Sequence, residues 1–187
     1  QDLSFAVRDA ESIRDVLANS FDFPIENITV LADEYATKQN ILKSFSEITK
    51  KAKEKDRVLI FFAGHGKTED LPEGGQMGYL LPVDGDPEEL YLTSVGMDEF
   101  QKLSYRSNAK HLLYLIDACY GGIAAVSSRG LDTKTPNYLE KITKDKSRQI
   151  ITAGGRGEEV IEKTEWGHSA FTLNLIRGLE DGRADMN

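Results

Sequence analysis

Two side chains in this sequence have the types needed for nucleophilic catalysis. His65 stands in "IFFAGHG" (60–66), where a bulky apolar run delivers an imidazole between two glycines. Cys119, the only cysteine, stands in "LIDACYGG" (115–122), 54 positions later. A free thiol has a pKa of about 8.5, so little thiolate exists at neutral pH. An imidazole within reach takes the thiol proton or stabilises the thiolate, and then protonates a leaving amine. The glycines around both residues leave room for a substrate main chain. The backbone N–H groups of Gly66 and Cys119 are suited to hold a developing oxyanion, and each such donor contributes a few kcal/mol. A lone cysteine is otherwise a small buried hydrophobe; the residues around Cys119 favour the catalytic reading.

For the pair to meet, both residues must leave neighbouring strands at one sheet edge. "RVLIFFA" (57–63) and "KHLLYLIDA" (110–118) are near-continuous apolar runs, the pattern of strands buried on both faces. "RQIITAGG" (148–155) reads as a third core strand, "ITVLA" (28–32) as a short one, and "GYLLPVDGD" (78–86) as a strand running into an acidic turn. Helical spacing marks "DAESIRDVLAN" (9–19), with Ala10, Ile13, Val16 and Leu17 on one face. It also marks 37–55, with Ile41, Phe45, Ile48 and Ala52 in a stripe and Thr37 as cap. Ser94 is the expected cap of a helix over 94–104, and Ser169 of one over 168–182 that ends near Gly178. Strands alternating with helices predict an α/β fold with a mostly parallel sheet flanked by helices. Ligands of such sheets bind beyond the carboxyl ends of the strands. The chain opens on a helix, so a first strand is expected before residue 1, and both ends read as cut.

Length and composition narrow the partners. The 187 residues suit one domain, and 40% apolar with 29% charged residues is an ordinary globular balance. The formal charge of −8 disfavours nucleic acid, whose phosphates would be repelled. No run approaches the roughly 18 apolar residues of a membrane span, so no membrane partner is expected. A single cysteine forms no internal disulfide and fits a reducing compartment, which points to the cytoplasm. From 123 to 147 small residues and Arg129, Lys134, Lys141, Lys144 and Lys146 describe an exposed interstrand linker.

The stretches "LSFAVRDAESIRDVL", "VLIFFAGHG", "GYLLPVDGD", "HLLYLIDACYGG", "QIITAGG" and "GHSAFTLNLI", in that order, resemble the caspase-like cysteine peptidases, above all their metacaspase and prokaryotic branch. The Asp-Ala-Cys-Tyr-Gly pentapeptide and its distance from His65 are similar to the caspase signature. The resemblance implies one caspase-like catalytic domain over 1–187, a three-layer sandwich with a His65/Cys119 dyad, and chemistry that requires no cofactor. Gly121-Gly122 departs from the Ser-Gly that many metacaspases carry there, without touching the dyad. By the same resemblance Asp117, two before the nucleophile, and Asp9 are the acids of the substrate pocket. Two carboxylates on one cleft repel each other, and an incoming guanidinium relieves that repulsion and binds a carboxylate bidentately. The expected substrate is therefore a protein or peptide cut after Arg, with Lys weaker. An aspartate there would set acid against acid.

Blander readings stand beside these. Asp9 suits a helix cap or first-turn acid, and Asp117 a strand-end turn. Glu158 and Glu159 are either a third pocket acid or solvated loop charges. His111 reads as structural, and His168 as packing or capping. Trp166 is local packing or a cleft wall. The resemblance extends to calcium as an activator, with the acid-rich stretches 84–90 and 180–187 as its places; a solvated acidic turn is the alternative. The segment 123–148 holds six basic residues, counting Arg148, and is where such an enzyme would cut itself. Regulatory domains or partner proteins are implied but not identified. Two other functions were weighed. One is a catalytically inactive caspase-like binding or scaffold module. The other is a nucleotide-binding domain, against which "AGHGKTED" has Phe61 where a phosphate loop needs glycine.

Overall fold

The computed structural model describes residues 3–118, 146–154 and 161–181. Cys119, most of the expected linker, Glu158, Glu159 and the acidic end at 182–187 lie outside the described residues. In chain order the elements are α1 (Ala6–Ser20), α2 (Lys38–Lys51), β1 (Arg57–Ala63), β2 (His65–Asp70) and β3 (Gln76–Leu81). There follow α3 (Leu90–Thr93), β4 (Val95–Gly96), α4 (Met97–Arg106), β5 (His111–Asp117) and β6 (Ser147–Thr152). The last are β7 (Glu162–Lys163), β8 (His168–Ser169) and α5 (Ala170–Glu180).

The central sheet is parallel, in the order β1-β5-β6. Because side chains alternate across a strand, the apolar runs of β1 and β5 supply both faces. Val58, Ile60 and Phe62 with Leu112, Tyr114 and Ile116 face the stripe of α2 (Ile41, Phe45, Ile48) and Phe100 and Leu103 of α4. On the other face α1 packs against β1 and α5, burying Ile13, Val16 and Leu17. The result is the expected three-layer α/β sandwich. No helix among the described residues is long and apolar enough to cross a membrane.

Several expectations are corrected. Residues 28–32 are extended at Ile28 but form no strand. β1 pairs with β5 alone among the described residues, so the run has no ladder to join. Ser94 does not start the helix that follows it. It closes α3 instead, its Oγ is buried with no partner among the described residues, and Gly96 precedes α4. Gly178 does not end α5, which runs on to Glu180. β6 is the outer strand of the described sheet, and Ile151 is 51% exposed rather than core. The polar strand β2 was not foreseen. It forms an antiparallel sheet in the order β2-β3-β4, with β2 at its edge, and an exposed edge strand needs no apolar alternation. The caps at Thr37 and Ser169 stand as expected, accepting from the N–H of Asn40 and Thr172.

Arg148 plays a structural part. Its guanidinium donates to the carbonyls of Lys110 (3.0 Å), Ser147 (2.8 Å) and Ala109 (2.9 Å), and at 3.5 Å to those of Ser104 and Ser107. It thereby ties β6 to the carboxyl end of α4, where the helix dipole favours a cation. Its guanidinium is thus engaged by backbone carbonyls rather than presented to solvent. Arg148→Met keeps the stem and removes the donors. It is expected to lower the unfolding free energy by about 2–3 kcal/mol, seen in urea as a lower midpoint at unchanged slope.

Candidate active site

The register of β1 against β5 pairs Ala63 with Asp117, and the Gly64 N–H extends the ladder by donating to the Asp117 carbonyl at 3.1 Å. The chain then turns at once into β2, whose first residue is His65. Glycine stands before it, and a Cβ at Gly64 would lie 2.6 Å from the tip of the Phe62 ring, which would have to move. The imidazole is therefore exposed at the carboxyl edge of the sheet, opposite Leu81 of β3, with Gly66 opposite Leu80. The residue after β5 is Ala118, fully buried, and Cys119 follows outside the described residues.

Both predicted pocket acids are buried at this edge. Asp117 is 3% exposed and Asp9 1%. Asp117 Oδ2 accepts from Ser169 Oγ at 2.5 Å and from Thr172 Oγ1 at 2.6 Å. Its Oδ1 is buried with no partner among the described residues. Asp9 is no helix cap: Phe5 holds that position in α1, and Asp9 lies in the first turn, facing inward. Asp9 Oδ1 lies 2.6 Å from His168 Nδ1, and Oδ2 accepts from the Ser169 N–H at 3.2 Å. Ser169 thus bridges the two acids, through its backbone to one and its hydroxyl to the other. The same hydroxyl accepts from the Thr172 N–H at 2.9 Å as cap of α5.

A tight turn delivers this unit. Gly167, at φ +66°, closes 164–167, and a Cβ there would meet the Arg8 guanidinium at 2.7 Å. Trp166 belongs to the same turn, with Lys163 Nζ 4.6 Å from its ring centre, and is local packing. A cavity of about 10 Å³, the room of one water, is lined by Asp9, Asp117, Glu162, Ser169, Ala63 and Gly64 among others. Glu162 is a third acid that the sequence reading missed in favour of Glu158 and Glu159; its Oε2 accepts from the Ser4 N–H at 3.1 Å.

Burial pushes both aspartates above the usual carboxylate range. For Asp9 the His168 and Ser169 hydrogen bonds pull back against burial. For Asp117 the two hydroxyls pull back, while the charges of Asp9 and Glu162 push further up. His168, Ser169 and Thr172 were also missed as site residues. Ser169 was read only as a cap, and the one signal for the unit was "GHSAFT", polar groups clustered at a helix start. His111 lies at the start of β5, at the opposite end of the strand from Asp117, with its Nε2 buried and without a partner among the described residues.

In the acidic turn both aspartates accept from backbone donors, and Glu88 faces Lys67 Nζ at 3.6 Å. Asp84 Oδ1 accepts from the Lys38 N–H at 2.8 Å and Asp86 Oδ1 from the Glu88 N–H at 2.9 Å. No group of three His, Cys, Asp or Glu placed to hold a metal occurs among the described residues.

With this geometry in view, the similarities to known proteins are informative. Metacaspase-3 of Arabidopsis thaliana is 29% identical over 132 residues, 64% of this chain and 35% of the relative. Metacaspase-7 of the same plant is 35% identical over 134 residues, 65% of this chain and 31% of the relative. Metacaspase-1B of Neurospora crassa is 27% identical over 155 residues, 72% and 34%. The chain thus spans about a third of the length of the curated relatives it matches. A crystal structure of a Geobacter sulfurreducens protein shares the fold, with a TM-score of 0.65 at 18% identity over 97% of this chain and 74% of that one. The caspase-domain profile of peptidase family C14 matches residues 1–186, and the chain belongs to that family of cysteine-type peptidases.

Proposed function

We propose that this domain hydrolyses peptide bonds after arginine, and more slowly after lysine, with Cys119 as nucleophile and His65 as its proton carrier. The observation that carries the specificity is the buried Asp117 Oδ1, unpartnered among the described residues and set with Asp9 around Ser169. A half-satisfied buried carboxylate is costly, and a guanidinium is the side chain that satisfies it. Supporting the chemistry is the exposure of His65 at the same edge, where β1 and β5 end in register. Cys119 is tethered two residues beyond Asp117, a reach of at most about 7 Å of chain.

The steps follow from these roles. The Cys119 thiolate attacks the scissile carbonyl carbon, and the N–H groups of Gly66 and Cys119 receive the oxyanion. His65 gives its proton to the leaving amine, freeing the first product and leaving a thioester on Cys119. Water, deprotonated by His65, then hydrolyses the thioester and restores the thiol. The pocket in its present form holds about one water. Entry of an arginine therefore moves its rim, where Leu3 and Glu162 stand.

The proposal extends to the rest of the reading: self-cleavage at a basic residue ahead of Arg148, calcium as activator, and a reducing, cytoplasmic setting that keeps the thiol free. Fluorogenic peptides differing only before the cut, among Arg, Lys, Asp and Ala, test the core of it with and without calcium. Arg is expected first, Lys second, Asp and Ala near the level of Cys119→Ala. Equal rates for Arg and Asp would refute the pocket; no rate above Cys119→Ala would refute the enzyme.

A further inference from the structure

We propose that His168 is a positioning residue for substrate selection: by pairing with Asp9 it sustains that carboxylate's charge at the floor of the pocket. This deepens the pocket reading given above and rests on it. Asp9 is almost wholly buried, and the donors that reach its carboxylate among the described residues are His168 Nδ1 at 2.6 Å and the Ser169 N–H at 3.2 Å. The second is a fixed backbone group of moderate length. A carboxyl so buried, with that donor alone, is driven toward its neutral form. His168 supplies both the shorter hydrogen bond and a positive charge when protonated. Its side chain is 15% exposed, whereas that of Asp9 is 1% exposed.

The surroundings divide between the two signs. Asp9 and Arg8 come from α1, Asp117 from β5 through the shared Ser169, and Glu162 from β7 opposite Ser169. Lys163 stands opposite His168 in the β7–β8 register, with its ammonium over Trp166. α5 contributes the Thr172 hydroxyl on the Asp117 side. His168 is the only one of these cations hydrogen-bonded to Asp9 among the described residues.

The two acids therefore have different duties. Asp9 Oδ1 and Oδ2 are each engaged by a protein donor, whereas Asp117 Oδ1 has none among the described residues. Asp117 grips the incoming cation directly, and Asp9 attracts it through a charge that His168 maintains. Loss of His168 should weaken binding of a basic side chain and leave bond cleavage itself intact.

The test is steady-state kinetics of the full chain on two peptides that differ only in carrying Arg or its neutral analogue citrulline before the cut. Wild-type enzyme showing no preference for Arg would sink the pocket reading itself, and this inference with it. Given that preference, His168→Leu is expected to raise KM for the Arg peptide about tenfold, the effect of one unit of carboxyl shift, with kcat within about twofold and the citrulline peptide unaffected. Activity on Arg should also begin to fall at higher pH on acidification, because Asp9 without its partner protonates sooner. His168→Gln, which keeps an amide donor, should recover KM at neutral pH but retain the displaced acid limb. In an Asp9→Asn background His168→Leu should change nothing further. An unaltered KM and acid limb in His168→Leu, or in His168→Gln if the leucine variant does not fold, would overturn the assignment.

Discussion

Replacing His65 by alanine is expected to lower kcat by about 10⁴-fold or more, and Cys119→Ala to lower it equally, since members of a nucleophile–base unit fail together. The double variant should be no worse than either single one, the mark of two groups acting in one step. The structural ground is the way Gly64 sends the chain off the sheet. A Cβ there would press on the Phe62 ring, and His65 emerges exposed at the edge where Asp117 ends β5. Because His65 is exposed and sits on an edge strand, the substitution should leave the fold intact, with the unfolding free energy from urea titration within about 0.5 kcal/mol of wild type. The same samples report on self-cleavage. Wild type is expected to show fragments cut ahead of Arg148 by intact mass, whereas Cys119→Ala stays whole. A single intact species in both would remove self-processing and leave the peptidase assignment standing.

Asp117→Asn is expected to lower kcat/KM for arginine peptides by about 10²–10³-fold, the scale on which one partner of a buried charge pair is lost. The same change should raise stability at neutral pH. Burial lifts the Asp117 carboxyl above its ordinary range, and the Asp9 and Glu162 charges lift it further. The folded state therefore holds more protons than the unfolded one between the ordinary carboxylate pKa of about 3.9 and the raised value. With that excess, wild-type stability falls as pH rises through this window. An asparagine there does not ionise, so the fall should be smaller in the variant, as unfolding at a series of pH values would show. Activity has the opposite dependence: the pocket needs its carboxylates charged, so arginine cleavage should fail on acidification at a higher pH than an ordinary carboxylate would set. Stability and function thus pull apart at this residue, as they do where a site carries charge that the fold alone would not choose.

The parts of the molecule readable from sequence are those where one local pattern decides the outcome. β1 and β5 are continuous apolar runs with no helical stripe; β1 spans the residues expected for it, and β5 is one residue shorter at each end. Thr37 and Ser169 cap their helices because a hydroxyl one residue ahead of an apolar stripe has few other uses. The failures have equally local causes. β2 is polar and half solvated, so nothing in "HGKTED" marks it as a strand apart from its partner β3. The run 28–32 has strand composition, but a strand exists only in a ladder, and that depends on neighbours the run itself does not encode. Ser94 resembled a cap and became the end of a four-residue helix instead.

For the site, Asp9 and Asp117 were assigned through family likeness, and the structure brings both to one small cavity. The site roles of His168, Ser169, Thr172 and Glu162 are not legible in the sequence because they arise from contacts across 52 to 160 positions. Glu158 and Glu159, weighed as a third acid, fall outside the described residues, whereas Glu162, four positions past Glu158, lines the cavity.

The claim on which the rest depends is that one thiol beside an acidic pocket attacks peptides carrying a basic side chain. Incubating the protein with equal amounts of a peptidyl-arginine and a peptidyl-aspartate chloromethyl ketone, followed by peptide mapping, tests it most directly. A single adduct on Cys119 bearing the arginine peptide, absent from His65→Ala and much reduced in Asp117→Asn, is the expected result. Labelling by the aspartate reagent to the same extent, or an unmodified Cys119 in the folded wild-type protein, would contradict it.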